Sequence, residues 1–406
     1  MSIFNSLGSN YTFEFVLEAL SASDKESNSL LLKKFLEERY GGNAVLTYKG
    51  REALRLALRA IAPSLNRGAV AQKGQAVGIC GFTCFAVYDA VIKEGYSVEY
   101  LDIDESLQFT FETFKKAVEK NPQLKVLIIQ NTLGYPCEIE KIANYCREKN
   151  IILIEDLAHA IGAKYVTGKE AGTIGDFVIL SFSQDKMIDG ISGGALIIRN
   201  AKFKLQSLEL NQKKSKTQQR DRLYPLYTFL IRKTYASGFG KALHLLLKKR
   251  NLLTQPMDNL DSDTIHTLPN WYCQLILSEY RQLDKNIVHR KKIAKIYADT
   301  LNKKVLGDYF VQTLPRAANL RFPIFVPNRD SLIQYLKPTN IYISDIWYDA
   351  PIGPKKYMTR TNYKNECPTA EKVSERIINL PTHRNVSETE AKFIAEKVNE
   401  WLKQES

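Results

Sequence analysis

The sequence predicts an α/β protein with a mostly parallel central sheet covered by helices, plus a smaller C-terminal α/β domain. Near-continuous apolar runs occur at 76–80, 125–129, 151–154 and 177–180. Amphipathic stretches, such as 83–93 and 138–149, lie between the runs. Strands that are buried on both faces are apolar throughout, and intervening helices provide the crossovers of a parallel sheet. In such sheets, ligands bind at the carboxyl ends of the strands.

Length and composition exclude several classes of protein. The chain has 406 residues, which is enough for two domains with a sizeable core. No stretch approaches the roughly 18 apolar residues of a membrane-spanning helix, and the N-terminus lacks the pattern of a signal peptide. The six cysteines have neither metal-ligand nor disulfide-framework spacing. We therefore expect a cytoplasmic protein with reduced thiols and no metal site.

The positive charge is concentrated in one segment. The net charge is +13, and residues 200–253 contain 13 Lys or Arg but only two acids, Glu209 and Asp221. This local excess argues against general nucleic-acid binding. Within it, residues 223–253 combine apolar and aromatic side chains with cations. The segment either packs on its own domain or in a dimer interface, or it forms a patch that contacts an anionic membrane surface, at the inner face of the membrane.

Four segments are predicted along the chain. They are an N-terminal arm (1–30), a large domain (31–200), a basic, aromatic insertion (201–260), and a long helix with a small C-terminal domain (261–406). The long helix is expected over 270–300. A strand is expected within 318–326, and a terminal helix is expected near 388–402.

The residues around Lys186 predict a specific chemistry. Asp156 comes directly after an apolar run, and Lys186 follows in a turn rich in serine, with Gly193 and Gly194 just beyond. A lysine amine can form a Schiff base with the aldehyde of pyridoxal 5'-phosphate (PLP), and an aspartate can keep the pyridine nitrogen protonated. Each residue has a plainer interpretation, because Lys186 could be a solvated lysine and Asp156 could cap a helix. The pair together favours a PLP site.

A set of ordered motifs resembles the DegT/DnrJ/EryC1/StrS family of PLP-dependent sugar aminotransferases, which have fold type I. The resemblance covers nearly the whole chain. The matching stretches are 48–58, 81–84, 101–104, 131–134, 155–160, 175–176, 181–186, 193–194, 367–368 and 380–383. A single motif of this kind would be weak, whereas this many in order is a specific signal.

The resemblance implies a role for each matched site residue. Lys186 would hold the cofactor and move the proton, Asp156 would pair with the pyridinium nitrogen, and His159 would lie beside the ring near its phenolic oxygen. Ser181 would bind the phosphate with its hydroxyl. The turn at Gly50, Arg51 and Glu52 would offer backbone N–H groups to the phosphate at a helix N-terminus.

Three positions depart from the family's pattern. Cys84 stands where an aromatic residue often stacks on the ring, and Arg51 stands where threonine is common. The asparagine that the partner subunit usually contributes has no clear counterpart. Asn270 is nearby, but its spacing does not support a direct transfer of that role.

The implied activity is transfer of an amino group from an amino acid, such as glutamate, to a keto sugar. The sugar is expected to be nucleotide-linked, and the reaction is expected to serve glycan or polysaccharide biosynthesis. A homodimer is implied as well. Two alternatives stay open. One is a PLP-dependent sugar dehydratase of the same family, against which Lys186 argues because that subgroup has histidine there. The other is a catalytically inactive relative that binds membranes or polymers.

Overall fold

The computed structural model describes residues 2–65, 74–205, 210–257, 260–343 and 348–405. The strands are β1 (Ile3–Phe4), β2 (Asn43–Thr47), β3 (Ala76–Cys80), β4 (Thr83–Cys84), β5 (Ser97–Leu101), β6 (Leu124–Ile129), β7 (Ile152–Asp156), β8 (Phe177–Ser181), β9 (Gly194–Ile198), β10 (Arg321–Phe325), β11 (Ile341–Tyr342), β12 (Ile352–Gly353) and β13 (Ile377–Pro381). The helices are α1 (Phe13–Ser21), α2 (Glu26–Tyr40), α3 (Gly50–Leu65), α4 (Phe85–Lys93), α5 (Phe111–Lys120), α6 (Ile139–Lys149), α7 (Ser215–Lys233), α8 (Phe239–Lys249), α9 (Asn270–Arg281), α10 (Leu283–Thr300), α11 (Asp308–Thr313), α12 (Arg329–Leu336), α13 (Pro368–Arg376) and α14 (Glu388–Gln404). Short 3₁₀ helices lie at Thr132–Gly134, Lys303–Val305, Lys337–Thr339 and Lys355–Arg360.

A seven-stranded sheet forms the centre of the large domain, in the order β2-β9-β8-β7-β6-β3-β5. Strands β8, β7, β6, β3 and β5 run parallel, whereas β9 is antiparallel to both of its neighbours. The four predicted apolar runs correspond to β3, β6, β7 and β8, and their side chains are almost all buried. Helices cover both faces, as apolar strands of this kind require. The predicted α/β fold class is confirmed.

The C-terminal part has its own core and a small antiparallel pair, β10 with β13. The predicted single helix over 270–300 is wrong, because the chain turns at Gln282 between α9 and α10. Helix α9 packs against α2 in the large domain, and α10 packs against α14. The turn lets Tyr280 and Ile293 join different cores. No proline or glycine marks it, so the sequence pattern gave no sign of a break.

The predicted insertion contains the helical pair α7 and α8, which pack against each other, and α7 also packs against α1. The first predicted boundary, at residue 30, falls inside α2. The division into four segments remains a prediction. None of the helices in the described ranges combines the length and apolarity needed to cross a bilayer.

Candidate active site

A cavity of about 190 Å³ opens at the carboxyl ends of the parallel strands. Asp156 ends β7, Ser181 ends β8, and Gln130 follows directly after β6. Parallel strands bring their carboxyl ends to one edge of the sheet, so residues that are distant in sequence meet there. Seven of the eight predicted site residues line this cavity: Gly50, Arg51, Cys84, Asp156, His159, Ser181 and Lys186.

Lys186 lies in the turn after β8 and is only 7% exposed. Its burial lowers the pKa of the amine to about 8, because the charged form is poorly solvated there. The carboxylate of Asp156 acts in the opposite direction and favours the charged amine. A nucleophile must be uncharged, and the lowered pKa leaves more of the amine uncharged near neutral pH than an ordinary lysine has.

The N-terminal segment holds the Lys186 turn in place. The Nδ2 group of Asn10 donates to the carbonyl oxygen of Lys186 (3.1 Å) and to Asp189 Oδ2 (3.1 Å). The hydroxyl of Tyr11 donates to Asp189 Oδ1 (2.8 Å), and the backbone N–H of Asp185 donates to Asp189 Oδ2 (2.7 Å). Asp185 itself has a φ of 61°, a conformation that is costly for a non-glycine residue. These hydrogen bonds fix a strained turn, and no local sequence signal predicts them.

Asp156 is buried at the end of β7, and this burial raises the pKa of its carboxyl group to about 6. The backbone N–H of Ala158 donates to Oδ1 (2.8 Å) and partly offsets the effect of burial. The ammonium group of Lys186 lowers the same pKa. A cationic partner would stabilise the charged form of a buried carboxylate of this kind. Asp156 lines the cavity in which such a partner would bind.

His159 is buried and uncharged, because burial and the nearby ammonium of Lys186 hold the pKa of its imidazole well below the ordinary range. The backbone N–H of Leu133 donates to Nδ1 (3.2 Å), and the hydroxyl of Tyr348 lies 3.2 Å from the same nitrogen. Because Nδ1 accepts a hydrogen bond, the single ring proton belongs to Nε2. The N–H donor of the histidine therefore lies on the other nitrogen of its ring.

The N-terminus of α3 meets the ends of β8 and β9 at very short distances. A Cβ atom added to Gly50 would lie 2.8 Å from Ser181 Cβ, and one added to Gly194 would lie 2.5 Å from the backbone nitrogen of Gly50. Only glycine allows this approach. It brings the N-terminus of α3 close to Ser181, whose Oγ would lie 3.2 Å from the Cβ added to Gly50. The first N–H groups of a helix have no acceptor within it, so an arrangement of this kind suits an anion.

Glu52 is the predicted site residue that the structure does not bring to the cavity. Its backbone N–H donates to the carbonyl oxygen of Lys49 (3.0 Å), and its Oε1 lies 3.2 Å from His266 Nδ1. Glu52 thus anchors the chain near residue 266. Cys84 does line the cavity, and burial raises the pKa of its thiol, which keeps the thiol neutral.

Several cavity residues come from later segments that the sequence did not indicate. They are Gln255, Pro256, Met257, Pro354 and Lys356. Nη1 of Arg51 donates to the carbonyl oxygen of Pro256 (3.1 Å), which ties residues 255–257 to the start of α3. These residues carry no motif, and only the folded chain brings them to the strand ends.

A buried carboxylate joins the insertion to the cavity wall. Asp221 of α7 accepts hydrogen bonds from four hydroxyl groups, those of Tyr48, Ser192, Thr254 and Tyr272. The ammonium group of Lys49 lines the cavity and donates to Ser192 Oγ (2.9 Å). Through Ser192, Asp221 therefore helps to position a second buried cation of the site.

Comparisons with known proteins identify the family. The sequence profile of the DegT/DnrJ/EryC1/StrS aminotransferase family matches residues 30–399. The chain belongs to this family. The predicted family membership is thus confirmed, and the protein is an aminotransferase by family.

Relatives and solved structures agree with this assignment. The GDP-perosamine synthase of Escherichia coli O157:H7 is 25% identical, over 96% of this chain and 94% of that protein. The UDP-4-amino-4,6-dideoxy-N-acetyl-beta-L-altrosamine transaminase of Campylobacter jejuni is 22% identical, over 77% of this chain and 75% of that protein. Among solved structures, the aminotransferase TlmJ from Streptoalloteichus hindustanus matches with a TM-score of 0.70 at 18% identity, over 98% of both chains. The likeness in fold confirms the predicted fold type I architecture.

Proposed function

We propose that this aminotransferase uses PLP to move an amino group from an amino acid, such as glutamate, to a nucleotide-linked keto sugar in glycan biosynthesis. One observation carries the proposal. A buried amine with a lowered pKa, Lys186, and a buried carboxylate, Asp156, line the same cavity at the strand ends. This is the pair of groups that PLP chemistry needs.

The residues present fit the cofactor. The close approach of Gly50, Gly194 and Ser181 leaves room for an anion where a Cβ atom would otherwise stand. The cations of Lys49 and Arg51 line the same cavity and suit a phosphate group. When bound, PLP supplies an electron sink that stabilises negative charge on the reacting carbon.

Each side chain at the cavity would have a separate role in the reaction. Lys186 would hold the cofactor through its amine and would accept and return the proton that the reaction moves. Asp156 would stabilise a positive charge on the cofactor's ring nitrogen. His159, with its proton on Nε2, would donate a hydrogen bond to the cofactor's ring oxygen, and Cys84 would pack against the cofactor as a small neutral group. Ser181 and the N-terminus of α3 would bind the phosphate.

The substrate class rests on the relatives and on the charge of the cavity. The names of the two relatives refer to a GDP-linked and a UDP-linked amino sugar. Lys356 adds a further cation to the cavity lining, beyond those beside the proposed phosphate cradle. Cations near a sugar site suit the diphosphate of a nucleotide. We also propose a homodimer, as the family resemblance implies.

We further propose a cytoplasmic location, which suits the six unpaired cysteines. Contact of residues 223–253 with the inner face of the membrane remains part of this proposal. Within this segment, α7 is mostly buried or half-buried, whereas most residues of α8 are exposed.

Reconstitution with PLP tests the cofactor assignment. The protein should gain a visible absorbance band that borohydride removes, and mass spectrometry should then find the reduced pyridoxyl label on Lys186. Lys186→Ala should abolish the label, whereas the exposed control Lys202→Ala should leave it unchanged. A label spread over other lysines would refute the assignment.

A substrate panel tests the reaction. The protein is incubated with glutamate and a set of nucleotide-linked keto sugars, and the products are analysed by mass spectrometry for an amine in place of the ketone. Amination of one of the sugars supports the proposal. A dehydrated product would indicate the dehydratase instead, and no product from any keto sugar despite a correctly labelled Lys186 would refute the sugar substrate.

A further inference from the structure

Helix α8 presents apolar side chains to solvent. Its buried side is formed by Gly240 and Leu247. On the remaining surface, Phe239 is 62% exposed, Leu245 is 69% exposed and Leu246 is 47% exposed. A helix that only covered its own domain would place such residues inward. An exposed group of large apolar side chains indicates contact with something else.

The same surface carries cations that have no acidic partner among the residues that the structure describes. Lys241, Lys248, Lys249 and Arg250 are exposed, and none of them forms an ion pair with a carboxylate in the described part of the chain. Asp221 of the neighbouring helix α7 forms no ion pair with these cations, because it is fully buried and accepts hydrogen bonds from four hydroxyl groups instead. The surface therefore combines apolar side chains with uncompensated positive charge.

This combination decides between two possible occupants. A second copy of the chain, bound around a two-fold axis that passes through this surface, would bring the surface against itself, with cation facing cation. Anionic lipid headgroups would instead neutralise the charge while Phe239, Leu245 and Leu246 enter the interface. The charge thus favours a lipid surface over self-association.

We propose that the exposed surface of α8, comprising Phe239, Lys241, Leu245, Leu246, Lys248, Lys249 and Arg250, binds the headgroup region of an anionic bilayer as a peripheral contact. The proposal deepens the predicted membrane contact of residues 223–253 and is independent of the reaction catalysed. Helix α8 packs on α7, and Asp221 fixes α7 to the cavity wall. Soon after α8, residues 255–257 line the cavity. Binding through α8 would therefore hold the active site near the membrane surface.

Vesicle co-sedimentation of the full-length protein tests the proposal. Wild-type protein should bind vesicles that contain phosphatidylserine at low salt, and it should bind pure phosphatidylcholine vesicles far more weakly. The double variant Lys248→Gln/Lys249→Gln should weaken binding on the order of thirtyfold, since each cation near the surface contributes about fivefold. The matched pair Lys303→Gln/Lys304→Gln, exposed in the C-terminal part, should leave binding unchanged.

A second variant separates lipid binding from self-association. Leu245→Ser/Leu246→Ser should lower vesicle binding, while sedimentation velocity shows the same oligomeric state as the wild type. Failure of the wild type to bind phosphatidylserine vesicles, or equal loss in both lysine variants, overturns the proposal. Conversion of a dimer to a monomer by the leucine variant would assign this surface to an interface between copies and would also overturn it. Transaminase activity on soluble substrates serves as the folding control throughout.

Discussion

The lowered pKa of Lys186 leads to a direct measurement on the cofactor-free protein. With a pKa of about 8, the amine loses its proton as the pH rises through that value. At a pH of about 7, roughly one Lys186 side chain in ten is uncharged. A lysine with the ordinary pKa of ~10.4 has only about four in ten thousand uncharged. On protonation state alone, Lys186 should therefore react about 200 times faster than an ordinary lysine.

Competitive labelling with trace acetic anhydride measures the reactivity of each lysine amine in one reaction. The label on the Lys186 peptide is quantified by mass spectrometry across neutral and alkaline pH, with the exposed lysines of the same protein as the internal reference. The Lys186 curve should have its midpoint near pH 8. A curve that coincides with those of the exposed lysines would show that the cavity does not desolvate the amine, and the reasoning would fail.

The variant Asp156→Asn tests the direction in which Asp156 shifts the pKa of Lys186. The Asp156 carboxylate raises the pKa of Lys186, because a nearby negative charge favours the ammonium form. Its removal should shift the labelling midpoint of Lys186 to lower pH. A shift to higher pH would contradict the proposed electrostatic link between the two groups.

Three further predictions concern the same region. Asp156→Asn leaves more of the Lys186 amine uncharged. It should nevertheless lower the transamination rate about a hundredfold or more in steady-state assays, because the cofactor ring loses its charge partner. An unchanged rate would reject the proposed role of Asp156 as that partner. Gly50→Ala should weaken PLP binding in a fluorescence titration and destabilise the fold by about 1–3 kcal/mol, because the new Cβ would lie 2.8 Å from Ser181 Cβ. A variant that binds PLP with wild-type affinity would show that the proposed phosphate cradle does not need glycine. Asp221→Asn should lower the free energy of unfolding by about 3 kcal/mol in urea titrations, because four buried hydroxyl groups lose a charged acceptor. The exposed control Asp263→Asn should change the free energy of unfolding by less than about 0.5 kcal/mol.

The central strands and the polar groups at their ends could be predicted because both are local in sequence. Buried parallel strands need unbroken apolar runs, and the carboxyl ends of such strands share one edge. Asp156 therefore followed from its position after an apolar run, whereas Ser181 was proposed from the family resemblance. The turn with Lys186 and the glycines near it could be recognised because the chemistry of a bound cofactor restricts which residue types can stand there.

Other features depended on contacts between distant segments. The hydrogen bonds of Asn10 and Tyr11 to the Lys186 turn, and the arrival of residues 255–257 at the cavity, join parts of the chain that share no local pattern. The break at Gln282 separates α9, which packs against α2, from α10, which packs against α14.

The sequence by itself determined the fold class and the family and led to the proposed pair of reactive side chains, since each depends on residue type and spacing. Only the tertiary structure decided that Glu52 turns toward His266, that Asp221 is buried beneath a basic segment, and which side of α8 is exposed. Burial and pKa depend on every neighbour in space, and a linear pattern does not specify those neighbours.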